Sequence, residues 1–207
     1  MSIKRVSIAS DYSLDGMIRE NGKKAGVVIC HPHPLYGGSM QNNVVDAIDN
    51  GFFGKGFTTL RFNFRGVGMS GGMYDEGEGE VKDVIASLAF LKKSIDEDAR
   101  VVLAGYSFGA WVASKAAASV EDLHALFLVS YPFAFYSTEE LNQFRKDIYF
   151  IGGEQDDVSP IDSLLKFYKN LPVVEKSLKI ISTDHFYWGK EKEIEEFIRE
   201  NVEIQHI

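Results

Sequence analysis

The chain has 207 residues, and its 22 Lys and Arg against 30 Asp and Glu leave a formal charge of −8. That balance speaks against electrostatic capture of nucleic acid or of an anionic membrane surface. Hydrophobic residues at 45% and charged residues at 25% are a globular composition, which excludes a disordered tail and predicts one domain over residues 1–207.

Cys30 is the only cysteine, so neither an internal disulfide nor a multi-cysteine metal site can form, and stapled secreted scaffolds and zinc ribbons are excluded. The opening residues MSIKRVSIASDY reach Ser, Asp and Tyr before any apolar stretch long enough for a secretory signal. No run of about 18 apolar residues is available to cross a bilayer. The expected setting is cytoplasmic and reducing.

Short β-rich runs alternate with longer segments of helical period, which predicts an α/β fold with a mostly parallel sheet of about eight strands and helices on both faces. Runs at 4–9 and 14–20, separated by a turn, predict an antiparallel pair at a sheet edge. Residues 25–30 are apolar almost throughout, as a strand buried on both faces requires. A helix over 42–55 follows, then a strand over 57–64 with β-branched and aromatic content. Val81, Val84, Ile85, Leu88 and Leu91 form one helical stripe. A strand over 100–104 leads into an Ala-rich helix over 110–120. Strands at 123–130, 147–152 and 177–181 and helices at 161–170 and 190–201 complete the pattern. The short segments between the later strands leave no room for a large cap domain.

Chemistry concentrates where strands end. Gly105-Tyr106-Ser107-Phe108-Gly109 is a G-x-S-x-G sequence between an apolar strand and an Ala-rich helix. A nucleophile elbow needs small residues on either side of its strained central residue, and the helix start behind Ser107 offers unpaired N–H groups, Phe108 among them, to a developing oxyanion. The hydroxyl needs a base and an orienting carboxylate. His185 lies in a loop after an apolar strand, where strand C-termini gather around a site. His124 falls at the wrong edge of the sheet and His206 in the tail. Asp156 and Asp157, after the strand 147–152, compete for the carboxylate, since one of them can instead serve a turn or helix start. Asp184 is too close in sequence to His185 to meet its ring in line.

Cys30-His31-Pro32-His33-Pro34-Leu35-Tyr36-Gly37-Gly38 occupies the place of the second oxyanion donor. Pro32 and Pro34 have no N–H but stiffen the loop, which leaves the amide of Leu35 or Tyr36 as the expected donor. His31 and His33 lack a third ligand for a metal. The Gly-rich segment 63–72 lacks the terminal G-K-[ST] of a phosphate loop and has the wrong spacing for a dinucleotide site. Its Arg65 is expected in an ion pair with Asp75, Glu80 or Asp83.

The ordered set H-P-H-P-L-Y-G-G, N-F-R-G-V-G-x-S-G-G, G-Y-S-F-G, G-E-Q-D-D and D-H-F-Y-W-G resembles the α/β-hydrolase superfamily. Within it the chain is similar to small lidless serine hydrolases related to dienelactone hydrolase. The resemblance spans nearly the whole chain and implies a catalytic set of Ser107, Asp156 and His185, with Asp156 carried over through the G-x-x-D spacing from Gly153. Dienelactone hydrolases themselves carry cysteine at the elbow, so their specificity does not transfer, and Cys30 is expected to be a small core residue.

The expected activity is cofactor-free hydrolysis of a small-molecule ester of short or medium chain length through an acyl-enzyme. A thioesterase or peptidase using the same residues is the enzymatic alternative, and an interaction module on the same fold the non-enzymatic one. Phe133, Phe135, Tyr136, Phe186, Tyr187 and Trp188 are candidates to line an acyl pocket. An exposed edge strand allows a homodimer as well as a monomer.

Overall fold

In the structure, a computed structural model, residues 3–172 and 175–204 are described; His206 lies outside them. Eight strands form one sheet in the order β1-β2-β4-β3-β5-β6-β7-β8. β1 (Ile3–Ala9) and β2 (Ser13–Arg19) make the antiparallel edge pair, with Ile3 opposite Arg19 and Ala9 opposite Ser13. β2 is also antiparallel to β4 (Thr58–Phe62). The remaining pairings, through β3 (Ala25–Cys30), β5 (Arg100–Tyr106), β6 (Ala125–Val129), β7 (Asp147–Gly153) and β8 (Lys176–Ile181), are parallel. Their C-terminal ends therefore open onto one edge.

Successive strand residues bury on opposite faces. Val28, Cys30, Leu103, Leu128 and Phe150 join one core. Val27, Ile29, Val102, Phe127 and Ile151 join the other. The first core is covered by α2 (Glu78–Leu91), α3 (Phe108–Ala117), the short α4 (Glu139–Gln143) and α5 (Ile161–Asn170). The second is covered by α1 (Asn43–Gly54) and α6 (Glu191–Asn201). Two covered faces explain the near-continuous apolar reading of β3 and β5.

Differences from the sequence expectations are local. Ile85 is 40% exposed: Val84, Leu88 and Leu91 make the buried stripe of α2, and Ile85 lies about 100° around the helix from Val84. β5 runs two residues further than expected, because Gly105 and Tyr106 still pair with Leu128 and Val129. α3 begins at Phe108, immediately after the turn residue Ser107. β4 stops at Phe62, and the Asn63 side chain and the Phe64 amide anchor the loop after β3. The Phe64 amide donates to His31 Nε2 at 3.0 Å, and Asn63 Oδ1 accepts from the Met40 amide at 2.9 Å. Among the described residues no helix is long and apolar enough to cross a membrane.

Candidate active site

β5 delivers Ser107 into a turn with φ 56° and ψ −122°, a region that L-residues enter only under strain. The turn is tight because α3 doubles back against the strand. A Cβ on Gly105 would collide with the Gly109 carbonyl, and one on Gly109 with the carbonyls of Cys30 and His31. The two glycines serve close backbone approach. Ser107 is held from behind by its amide, which donates to the Val129 carbonyl at 2.9 Å, and its own carbonyl accepts from the Ala110 amide at 2.9 Å.

The loop after β8 brings His185 Nε2 to 3.0 Å from Ser107 Oγ. The loop after β7 brings Asp156 to the other ring nitrogen, with Oδ1 and Oδ2 at 2.9 and 2.8 Å from Nδ1. Asp156 Oδ1 also accepts from the amides of Val158 and Ser159 at 2.9 and 2.8 Å, and Oδ2 accepts from Ser130 Oγ at 2.6 Å. Burial pushes the Asp156 carboxyl up. The hydrogen bonds from His185, Ser130 and Ser159 outweigh it and hold the group below the ordinary carboxylate range. Asp157 is exposed, and Asp184 is turned into its own loop, where Oδ1 accepts from the Phe186 amide at 2.9 Å. His124 precedes β6 at the opposite edge of the sheet, its Nδ1 accepting from the Val101 amide.

The loop after β3 corrects the expected second oxyanion donor. A short 3-10 turn, Pro34–Tyr36, closes on His33. The Leu35 amide donates to His33 Nδ1 at 3.2 Å and the Tyr36 amide to the His33 carbonyl at 3.1 Å, so both are engaged inside the turn. The amides of His33 and Phe108 donate to no acceptor among the described residues, and both residues border the cleft beside Ser107. His31 and His33 part company at Pro32. His31 is fully buried, its Nδ1 donating to the Pro32 carbonyl at 2.6 Å while Nε2 accepts from Phe64. That leaves it no lone pair for a metal, and the described residues hold no cluster of three or more His, Cys, Asp or Glu suited to one.

A cleft of about 600 Å³ opens over Ser107 and His185. Tyr36, Phe108, Phe135, Tyr136, Val158 and Phe186 form its apolar lining, and no Asp, Glu, Lys or Arg among the described residues borders it. Two expected pocket residues lie elsewhere. Phe133 turns toward α5, its ring 4.8 Å from Tyr131 and 5.3 Å from Phe167. Trp188 is 72% exposed and lies outside the cleft lining. Leu35 is exposed outside the lining. Tyr187 is fully buried, and its hydroxyl meets Ser130 Oγ at 2.7 Å. Tyr106 donates to the His185 carbonyl at 2.5 Å. In the sequence Ser130 is only the last residue of the strand over 123–130, and Tyr106 only a residue of the G-x-S-x-G turn.

Neighbouring features are structural. Arg65 forms a buried fork on Asp83 through Nε at 3.0 Å and Nη2 at 2.8 Å, with Asp75 further off at 3.8 Å. Glu80 instead accepts from the amides of Asp75 and Gly77 at the start of α2. The Cys30 thiol is buried and pushed well above its ordinary range by desolvation, which leaves it inert.

Residues 23–198 match the family pattern of the alpha/beta hydrolase domain. An uncharacterized protein of Rickettsia prowazekii is 30% identical over 186 residues, which are 84% of this chain and 76% of the relative. A solved alpha-beta serine hydrolase homologue from Coxiella burnetii superposes with a TM-score of 0.89 at 33% identity, covering 98% of this chain and 99% of its own. An α/β serine hydrolase without a lid from Xanthomonas campestris gives 0.87 at 25% identity, covering 98% and 94%. An esterase of Pyrococcus furiosus shares the fold, with a TM-score of 0.80 at 22% identity over 98% of this chain and 94% of its own. With its strand order, its serine turn after β5 and a family match over most of its length, the chain belongs to the α/β-hydrolase family and has the fold of the lidless serine hydrolases within it.

Proposed function

We propose that the protein is a serine carboxylesterase that cleaves short- to medium-chain esters through an acyl-enzyme. The observation that carries this reading is the unbroken hydrogen-bond chain from Ser107 Oγ through His185 to Asp156. Its proton positions follow from the partners. Asp156 is acceptor-only when ionised, so Nδ1 carries the proton and Nε2 presents a lone pair to the serine hydroxyl.

Ser107 Oγ attacks the ester carbonyl carbon while its proton passes to His185 Nε2. The carbonyl oxygen becomes an oxyanion facing the amides of Phe108 and His33. Collapse of the tetrahedral species breaks the bond to the alkoxy oxygen, which leaves as the alcohol with the proton from Nε2. Water, deprotonated by the same nitrogen, then releases the acid and restores Ser107. The helix start at Phe108 adds a favourable field for the negative oxygen. A charge-free, aromatic cleft open to solvent suits an uncharged acyl group of modest length.

The test is covalent labelling with a fluorophosphonate, followed by mass mapping. One adduct on Ser107 and none in Ser107→Ala is the expected result, together with turnover of butyryl or hexanoyl p-nitrophenyl esters. A thioester and an aminoacyl amide belong in the same panel, and faster turnover of either displaces the esterase reading. A wild-type serine that resists the probe displaces the hydrolase mechanism itself.

A further inference from the structure

Among the described residues four that are not glycine have positive φ: Glu76, Ser107, Ser130 and Tyr187. Three of the four belong to one continuous hydrogen-bond chain at the carboxyl edge of the sheet. Ser130, at φ 46°, follows β6, and Tyr187, at φ 58°, lies two residues beyond His185. Side chains in this region cost free energy, and they persist where surrounding contacts hold them. Here those contacts lead to the acid of the triad. The Ser130 amide donates to the Ile151 carbonyl at 2.8 Å, which locks the turn so that Oγ lies 2.6 Å from Asp156 Oδ2.

The polarity of the chain is fixed by chemistry. The carboxylate only accepts, so the single Ser130 proton points to Asp156, and the Tyr187 hydroxyl must donate to Ser130. Both Ser130 and Tyr187 are fully buried, so water does not substitute for either donor. Tyr187 is also part of the loop that carries His185, and its hydroxyl ties that loop to the strand end beside the acid.

We propose that Ser130 and Tyr187 are positioning residues that orient and polarise Asp156, with Tyr187 acting only through Ser130. The inference rests on the triad reading above. It assigns the left-handed turns after β6 and within the histidine loop a purpose that neither the nucleophile motif nor the triad supplies. The titratable groups around Asp156 are His185, Tyr187 and Asp184 from the histidine loop and Tyr106 from β5. Loss of the Ser130 hydrogen bond leaves the anion less stabilised against all of them. The Asp156 carboxylate is then the stronger base, and protonation at the site sets in at higher pH.

The experiment measures the rate of Ser107 phosphonylation against pH by intact mass, which needs no natural substrate. Wild type, Ser130→Gly, Ser130→Ala, Tyr187→Phe and the Ser130→Gly/Tyr187→Phe double variant are compared. Glycine relieves the backbone at 130 and phenylalanine keeps the buried ring, so both retain the fold; Ser130→Ala checks that the missing hydroxyl is responsible. Ser130→Gly and Ser130→Ala should label about tenfold more slowly at the plateau, with the acid limb displaced to higher pH. Tyr187→Phe should move the limb the same way with a smaller slowing, about threefold. The double variant should match Ser130→Gly alone. Unmoved pH profiles, or a double variant slowed by the product of the two single factors, would overturn the assignment while leaving the triad intact. Failure of the wild type to label would instead remove the reading beneath it.

Discussion

His31 makes the stability of the loop after β3 depend on pH in a calculable way. The ring is fully buried, and burial lowers its pKa from 6.5 to about 4, even though donation to the Pro32 carbonyl favours the charged form. Because the folded value lies below the unfolded one, the unfolded chain takes up this proton first. The stabilisation is complete above 6.5 and drains away as the pH falls toward 4. The whole gap corresponds to about 3 kcal/mol, of which about 2 kcal/mol is lost between pH 7 and pH 5. Protonation also places a hydrogen on Nε2, where the Phe64 amide already points its own. The two donors then repel, and the segment carrying His33 loses its anchor. In His31→Gln the amide oxygen can still accept from Phe64, and titration at this site is gone. Urea unfolding at pH 7 and pH 5, compared through midpoints at constant slope, should show the wild type losing about 2 kcal/mol more than the variant. Other ionisable groups contribute equally to both proteins. Parallel pH dependence would refute the argument and mean that the buried imidazole does not titrate as its environment requires.

Four further outcomes are expected. Ser107→Gly relieves the φ of 56° and should raise unfolding stability by about 1 kcal/mol while abolishing esterase activity; a clear loss of stability would deny that the elbow is strained. Gly109→Ala drives a methyl into the Cys30 and His31 carbonyls and should cost at least about 2 kcal/mol in the same assay, a melt equal to wild type being the contrary result. Phe186→Ala, at the cleft, should reduce kcat/KM for a hexanoyl ester about fivefold, whereas Trp188→Ala, outside it, should leave the value unchanged; the reverse ranking would misplace the acyl site. Asp156→Asn must keep its oxygen toward the Val158 and Ser159 amides, so its NH2 meets His185 Nδ1 and forces the tautomer with hydrogen on Nε2. Phosphonylation of Ser107 should slow by about 10³-fold or more, and a slowing under tenfold would contradict the assigned proton positions.

What could be read in advance was whatever leaves a pattern in one dimension. β3 and β5 are legible because burial on both faces removes polar residues. Ser107 stands out because glycines flank its turn between a strand and a helix, and His185 because its loop follows an apolar strand. The engagement of the Leu35 and Tyr36 amides was not legible, since it arises only once the 3-10 turn has closed on His33. Ser130 and Tyr187 were equally hidden. A serine after a strand and a tyrosine among aromatics have no distinguishing spacing, and their significance lies in left-handed backbone and a contact 57 residues apart in sequence. α4 buries only Leu141, too little to mark a stripe.

The buried carboxylate explains why so much strain collects at one edge of the sheet. Asp156 is removed from water, and an ion there is costly unless its lone pairs are occupied. The Val158 and Ser159 amides come cheaply, from a turn beginning at the aspartate itself. The remaining donors must arrive from other chain segments, His185 from the loop after β8 and Ser130 from the end of β6. Parallel register brings those strand ends level but aims them along the sheet and not across it. Left-handed residues at 130 and 187 supply the change of direction, as the one at 107 does for the Ser107 hydroxyl. Three separate departures from ordinary backbone thus have a common cause: side chains from neighbouring strands must converge on a point just beyond the sheet, and the strands alone cannot bring them there.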